Sequence, residues 1–70
     1  MYEINKGVTR EGLEYMELKN DKKPKTRYVA QINPLGEWYV YKITPKRVKT
    51  VSWCKSKDAA IATLRIVGGA

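Results

Sequence analysis

No histidine and no phenylalanine occur among the 70 residues, and cysteine appears once, as Cys54. Each absence closes a class of function. Without histidine the chain lacks the side chain that most often acts as acid, base or metal ligand near neutral pH. Ser52, Ser56, Cys54 and the scattered carboxylates have no imidazole to activate them, so no catalytic role is expected. A single cysteine makes neither an internal disulfide nor a zinc framework, so no cofactor is expected and a reducing, cytoplasmic setting is the natural one. Cys54 itself, just before a helix start, reads as a small, partly buried strand-end residue. Long apolar runs are missing too. Nothing approaches the roughly 18 residues of a membrane span, and the opening MYEINKG lacks the apolar core of a signal peptide, so a soluble protein away from membranes is expected.

Acidic residues are also scarce. Fourteen Lys and Arg stand against seven Asp and Glu, a net charge of +7, and such an excess makes an anionic partner a serious hypothesis. The imbalance is uneven along the chain. Residues 1–18 carry Lys6 and Arg10 against Glu3, Glu11, Glu14 and Glu17, so the surplus lies entirely in residues 19–70. A chain this short makes one domain (residues 1–70) and buries only about 60% of the surface its unfolded form exposes.

What is present is organised around residues 27–67. RYVAQI, WYVYKI and VKTVSW are short β-branched and aromatic runs, parted by the turn signals NPLGE and TPKR. SKDAAIATLRIV follows with helical periodicity. In the first run Tyr28, Ala30 and Ile32 alternate against Val29 and Gln31 and are expected to face the helix. In the second, Trp38 and Val40 are expected inward and Tyr39, Tyr41 and Ile43 outward. In the third, Val51 and Trp53 are expected to face one way, with Lys49 beside them or at the rim. Asn33-Pro34-Leu35-Gly36 supplies a turn in which Pro fixes one φ and Gly can take a positive one. Ser56 fits a helix N-cap, Asp58 and Arg65 complement the helix dipole, and Ala60, Ile61, Leu64 and Val67 form one apolar stripe that Gly68-Gly69 terminates. Residues 13–18 fit a further strand, which the turn-rich 20–25 joins to the next, whereas residues 1–12 read as an arm or an edge strand. The expected class is α+β. It is an antiparallel sheet of three to four strands (residues 13–53) with one C-terminal helix (56–67) packed on one face.

Cations and aromatics interleave along this frame. Lys42, Lys46, Arg47, Lys49, Lys55 and Lys57 share a window without any acidic residue, and Lys19, Lys22, Lys23, Lys25 and Arg27 form a second cluster diluted only by Asp21. Two basic hairpins flanking a sheet can hold phosphates, while Gln31, Tyr39 and Tyr41 on the sheet can reach bases or sugars.

The order GEWYVYKI, RVKTVSW, SKDAAIATL resembles the DNA-binding domains of three strands and a helix found at the N-termini of phage and transposon tyrosine recombinases and in plant ethylene-response factors. Gly36, Trp38, Trp53, Ser56, Ala59, Ala60 and Leu64 carry the resemblance, over residues 27–65. Ser52 stands where that pattern commonly has glycine, and Lys42 where it has an apolar residue. The resemblance implies that the sheet lies in the major groove, with Arg27, Gln31, Tyr39, Tyr41, Arg47 and Lys49 as contacts. Together with the hairpin cations Lys22, Lys23, Lys25 and Lys46, these are the expected site residues. The expected function is a small module that binds nucleic acid, double-stranded DNA ahead of RNA. The alternative is a protein of the phage or mobile-element kind that binds and inhibits a host protein, docking through a sheet edge or the aromatic patch, and a third reading is single-stranded nucleic acid, with Tyr39, Tyr41 or Trp38 as stacking platforms.

Overall fold

Alternation of apolar and polar side chains decides which face of a strand is buried. In the computed structural model, which describes residues 2–69, five strands make use of it. They are β1 (Tyr2–Val8), β2 (Glu14–Asn20), β3 (Arg27–Ile32), β4 (Trp38–Ile43) and β5 (Val48–Cys54), and the helix α1 (Lys57–Gly68) follows. Each strand pairs antiparallel with its neighbour in sequence, giving one meander in the order β1-β2-β3-β4-β5. The α+β class, the antiparallel sheet and the C-terminal helix are as expected, but three to four strands are corrected to five.

The added strand is β1, inside the stretch 1–12 that reads as an arm or an edge strand; Met1 lies outside the described residues. Its apolar pattern is sparse because an edge strand has little core to meet. Ile4 packs against the core from opposite Leu18, while Lys6 takes the next position on that side, opposite Met16. Register with β2 holds the strand instead, running from Tyr2 opposite Asn20 to Val8 opposite Glu14.

One face of the sheet is closed by α1. Met16, Leu18, Tyr28, Ala30, Trp38, Val40 and Cys54 rise from the strands to meet Ala60 and Leu64, and Ile4, Ile32, Ile61 and Val67 pack around them. The inward set of β3 and of β4 and the helix stripe are therefore those that the periodicity predicts. Ser56 caps the helix, its Oγ accepting from the Ala59 amide at 3.1 Å. The helix ends without a left-handed residue, since Gly69 has φ −91. Gly68 is there for closeness: a Cβ on it would lie 2.6 Å from Leu18 Cδ2 and 2.9 Å from the Tyr28 ring. Its carbonyl accepts from the buried Asn20 Nδ2 at 2.7 Å, and Asn20 Oδ1 accepts from the Lys22 amide at 2.9 Å, so one side chain ties the helix end to the β2–β3 turn.

A bulge interrupts the last ladder. Val40 faces Ser52, yet Tyr41 faces Thr50, which leaves Val51 as the extra residue. An inserted residue shifts every later side chain to the other side of the strand. Trp53 therefore stands opposite Tyr39 on the face away from the helix, whereas Lys49 stands opposite Lys42 on the helix side. Of the two places expected for Lys49, the one beside Trp53 is excluded, and the residue stands near the rim, second in β5.

Candidate nucleic-acid interface

In a meander, alternate turns share one end of the sheet. The β2–β3 turn (residues 21–26) and the β4–β5 turn (44–47) lie together at the end where α1 terminates, and they bring the second basic cluster of the sequence together with Lys42, Lys46, Arg47 and Lys49 of the first, while Lys55 and Lys57 lie at the opposite end, Lys57 on Glu14. Lys25, Lys42, Lys46, Arg47 and Lys49 line one concavity of about 590 Å³ with Thr44 and Pro45. Among the described residues no carboxylate lines it. Register puts Lys42 directly opposite Lys49, an arrangement of like charges that destabilises a sheet unless something neutralises it. Among the described residues, none of these five cations has a carboxylate within 4.0 Å. The β4–β5 turn is held by its own bonds, the Thr44 amide donating to the Arg47 carbonyl at 2.9 Å and the Arg47 amide to Thr44 Oγ1 at 3.2 Å. Lys46 and Arg47 are thus presented on an ordered turn.

A second concavity beside it is lined by Lys19, Lys23 and Arg27 together with Asp21. Here the like-charged neighbours Lys19 and Arg27 do have an internal partner. Glu17 lies 3.9 Å from Lys19 and 3.6 Å from Arg27.

The face away from the helix carries three cross-strand rows. Gly7, Tyr15, Gln31, Tyr39 and Trp53 form the first; Asn5, Glu17, Val29, Tyr41 and Thr50 the second; Glu3, Lys19, Arg27, Ile43 and Val48 the third, next to the basic turns. Glu3 and Glu17 balance Lys19 and Arg27, so this face has no net charge. Its rings are ordered. Tyr39 and Tyr41 stack with centroids 6.4 Å apart, and Tyr15 lies over Gly7, where a Cβ would come within 2.5 Å of its hydroxyl. Trp53 is 44% exposed, donates from Nε1 to Glu37 at 3.1 Å and carries Lys55 Nζ 5.6 Å from its ring centre.

No protein-family model, curated protein or solved structure matches the chain significantly. The site is therefore read from its own geometry.

Of the residues expected at the site, Arg27, Gln31, Tyr39 and Tyr41 share the open face. Lys25, Lys46, Arg47 and Lys49 share the basic concavity, and Lys23 joins Arg27 in the second. Lys22 is exposed on the same turn but lines neither. Lys49 does not share a face with Tyr39 and Tyr41, because the bulge turns it to the helix side. Three residues escape selection from the sequence alone. Lys42 alternates with Trp38 and Val40 and so belongs to the helix side, Tyr15 gains its place only through Gly7 across the ladder, and Trp53 depends on the bulge. A glycine inside an otherwise strand-like β1 is the signal that could have found Tyr15.

Cys54 is buried, with Sγ 3.4 Å from Thr63 Oγ1, and Thr63 in turn donates to the Ala59 carbonyl at 2.9 Å. Among the described residues no group of three or more Cys, Asp and Glu gathers as a metal site, and no helix is long and apolar enough to cross a membrane.

Proposed function

We propose that this chain is a nucleic-acid-binding module that works by binding alone, with its basic hairpins on phosphates and its sheet face turned to the rest of the polymer, DNA ahead of RNA. The observation that carries this is the Lys42–Lys49 pair, held opposite in the ladder among Lys25, Lys46 and Arg47, with no carboxylate among the described residues lining the concavity. Repulsion of that kind is removed by a polyanion, and releasing counterions from the polymer adds a driving force. Arg47 can grip a phosphate with its planar fork, and the lysines act as point charges around it.

The resemblance to recombinase and ethylene-response domains implied a sheet inserted in the major groove of a duplex. Five strands at the usual spacing make a face about 19 Å across, whereas the groove is about 12 Å wide. A duplex would accordingly meet the basic end through its phosphates, without taking in the whole face. Arg27 and Lys19, at the border between the two, belong to both surfaces.

A salt titration tests the proposal. If about four cations meet phosphates, the logarithm of the affinity falls with the logarithm of salt at a slope of about −3 to −4. Replacing Arg47 and Lys49 together by Gln should lower that slope by about two and weaken binding to every sequence alike. If the purified protein is retained on no nucleic acid at low ionic strength, the proposal is wrong, and a host-protein partner takes its place.

A further inference from the structure

The open face of the sheet is unlike the end that holds the cations. It has no net charge, three aromatic side chains in or beside one row, and a fourth ring, Tyr41, stacked on Tyr39. From this we infer that the face is a stacking platform for unpaired bases, so that the preferred ligand is single-stranded DNA and not duplex. The inference rests on the nucleic-acid proposal and narrows it.

Stacking is what a neutral aromatic surface offers a polynucleotide, since every base has a π face and every duplex hides it. Tyr15 lies across Gly7, so one side of its ring covers the neighbouring strand and the other side faces outward. Trp53 is the most exposed of the rings, and the Lys55 ammonium over it would have to swing aside for a stacked base, remaining within reach of that base's phosphate. Gln31, between Tyr15 and Tyr39 in the row, carries an amide that offers a donor and an acceptor side by side, as a base edge does. A strand stacked along Tyr39 and Tyr41 runs directly to Arg27 and onward to the basic turns, so bases and phosphates find separate surfaces in one continuous path.

Two other occupants fit less well. A second copy face to face would bring together two chains of net charge +7. RNA selectivity needs groups devoted to the 2′-hydroxyl. Two of the nearby carboxylates are engaged elsewhere, Glu17 with Lys19 and Arg27 and Glu37 with Asn33 and Trp53.

The test compares a mixed-sequence 20-nucleotide DNA strand, its duplex and the RNA strand of the same sequence, by fluorescence anisotropy at one salt concentration with the wild-type protein. We expect the DNA strand to bind at least tenfold tighter than the duplex, and tryptophan emission to be quenched on binding. Trp38 is 3% exposed and Trp53 44%, so Trp53→Leu should abolish most of that quenching. Tyr39→Leu and Trp53→Leu, checked for an unchanged fold by thermal melting, should each weaken the single-strand complex about tenfold and the duplex complex less than twofold. Lys42→Gln should weaken both complexes alike. Equal affinity for strand and duplex overturns the inference, leaves the role of the basic end intact and gives the face to a protein partner. So do RNA binding tenfold tighter than DNA, or Leu variants that keep wild-type preference. A dimer in solution that Trp53→Leu dissociates would make the face a contact between copies. Binding to none of the three ligands would overturn the nucleic-acid proposal itself.

Discussion

Two pairs of like charges face each other across this sheet, and they are treated differently. Lys19 and Arg27 sit opposite on the open face, and Glu17 reaches both. Lys42 and Lys49 sit opposite on the helix side, and no described carboxylate is within ion-pair distance of either. Register alone creates both repulsions. The first is neutralised within the fold, at little net cost because exposed ion pairs contribute little. The second has no such neutraliser among the described residues, and the proposed anion site rests on that difference.

The comparison depends first on α1 docking as described, because the helix covers Tyr28 and stops short of Lys42 and Lys49. Leu64 is fully buried, so Leu64→Ala should cost about 2–5 kcal/mol, read as a fall in melting temperature; an unchanged transition would dissolve the distinction between the two faces. Next in size is Gly68→Ala. The added methyl meets Leu18 Cδ2 at 2.6 Å, and forcing it in should cost about 1–3 kcal/mol, seen in denaturant unfolding. If that variant were as stable as wild type, the helix end would not sit so close to the sheet.

Smaller effects sharpen the contrast between the pairs themselves. Lys49→Glu turns the helix-side repulsion into an attraction and should raise stability in the absence of nucleic acid by about 0.2–1 kcal/mol, while binding weakens and the salt slope falls. Opposite signs in the two measurements are the signature of a site kept for an anion; loss of stability together with binding would mean that Lys49 has a packing role instead. Glu17→Gln is the converse. Removing the internal neutraliser should destabilise by less than about 1 kcal/mol and should increase affinity for nucleic acid at low salt, since Lys19 and Arg27 become available to phosphates. No change in binding would show that the open-face pair is not in the path of the ligand.

Much of this frame was legible in the sequence. Alternation in RYVAQI and WYVYKI put Tyr28, Ala30, Trp38 and Val40 inward, and the spacing of Ala60 and Leu64 fixed the helix stripe, because burial on one face is a local pattern. β1 was only half legible. Lys6 and Gly7 interrupt its alternation, and its stability comes from backbone pairing with β2, which leaves no trace in hydropathy. The bulge at Val51 was invisible, since a single inserted residue has no composition of its own. It moved Lys49 away from Trp53 and so split the expected site into a basic end and an aromatic face. The turns were read correctly as turns, and Gly36 does take a positive φ of 85. That two of them meet at one end of the sheet is a property of strand count, and five strands with β1 at the edge leave that pairing of turns unchanged.

Gathering the lysines of two hairpins at one end also gives the molecule a direction in an electric field. A polyanion approached from any side exerts a torque on such a chain before contact, turning the β2–β3 and β4–β5 tips forward. Encounter is then end-first, with the ladder of tyrosines arriving afterwards. Under the proposed binding, ionic strength would act chiefly on how fast the two partners meet, and stacking on the uncharged face on how long they stay together.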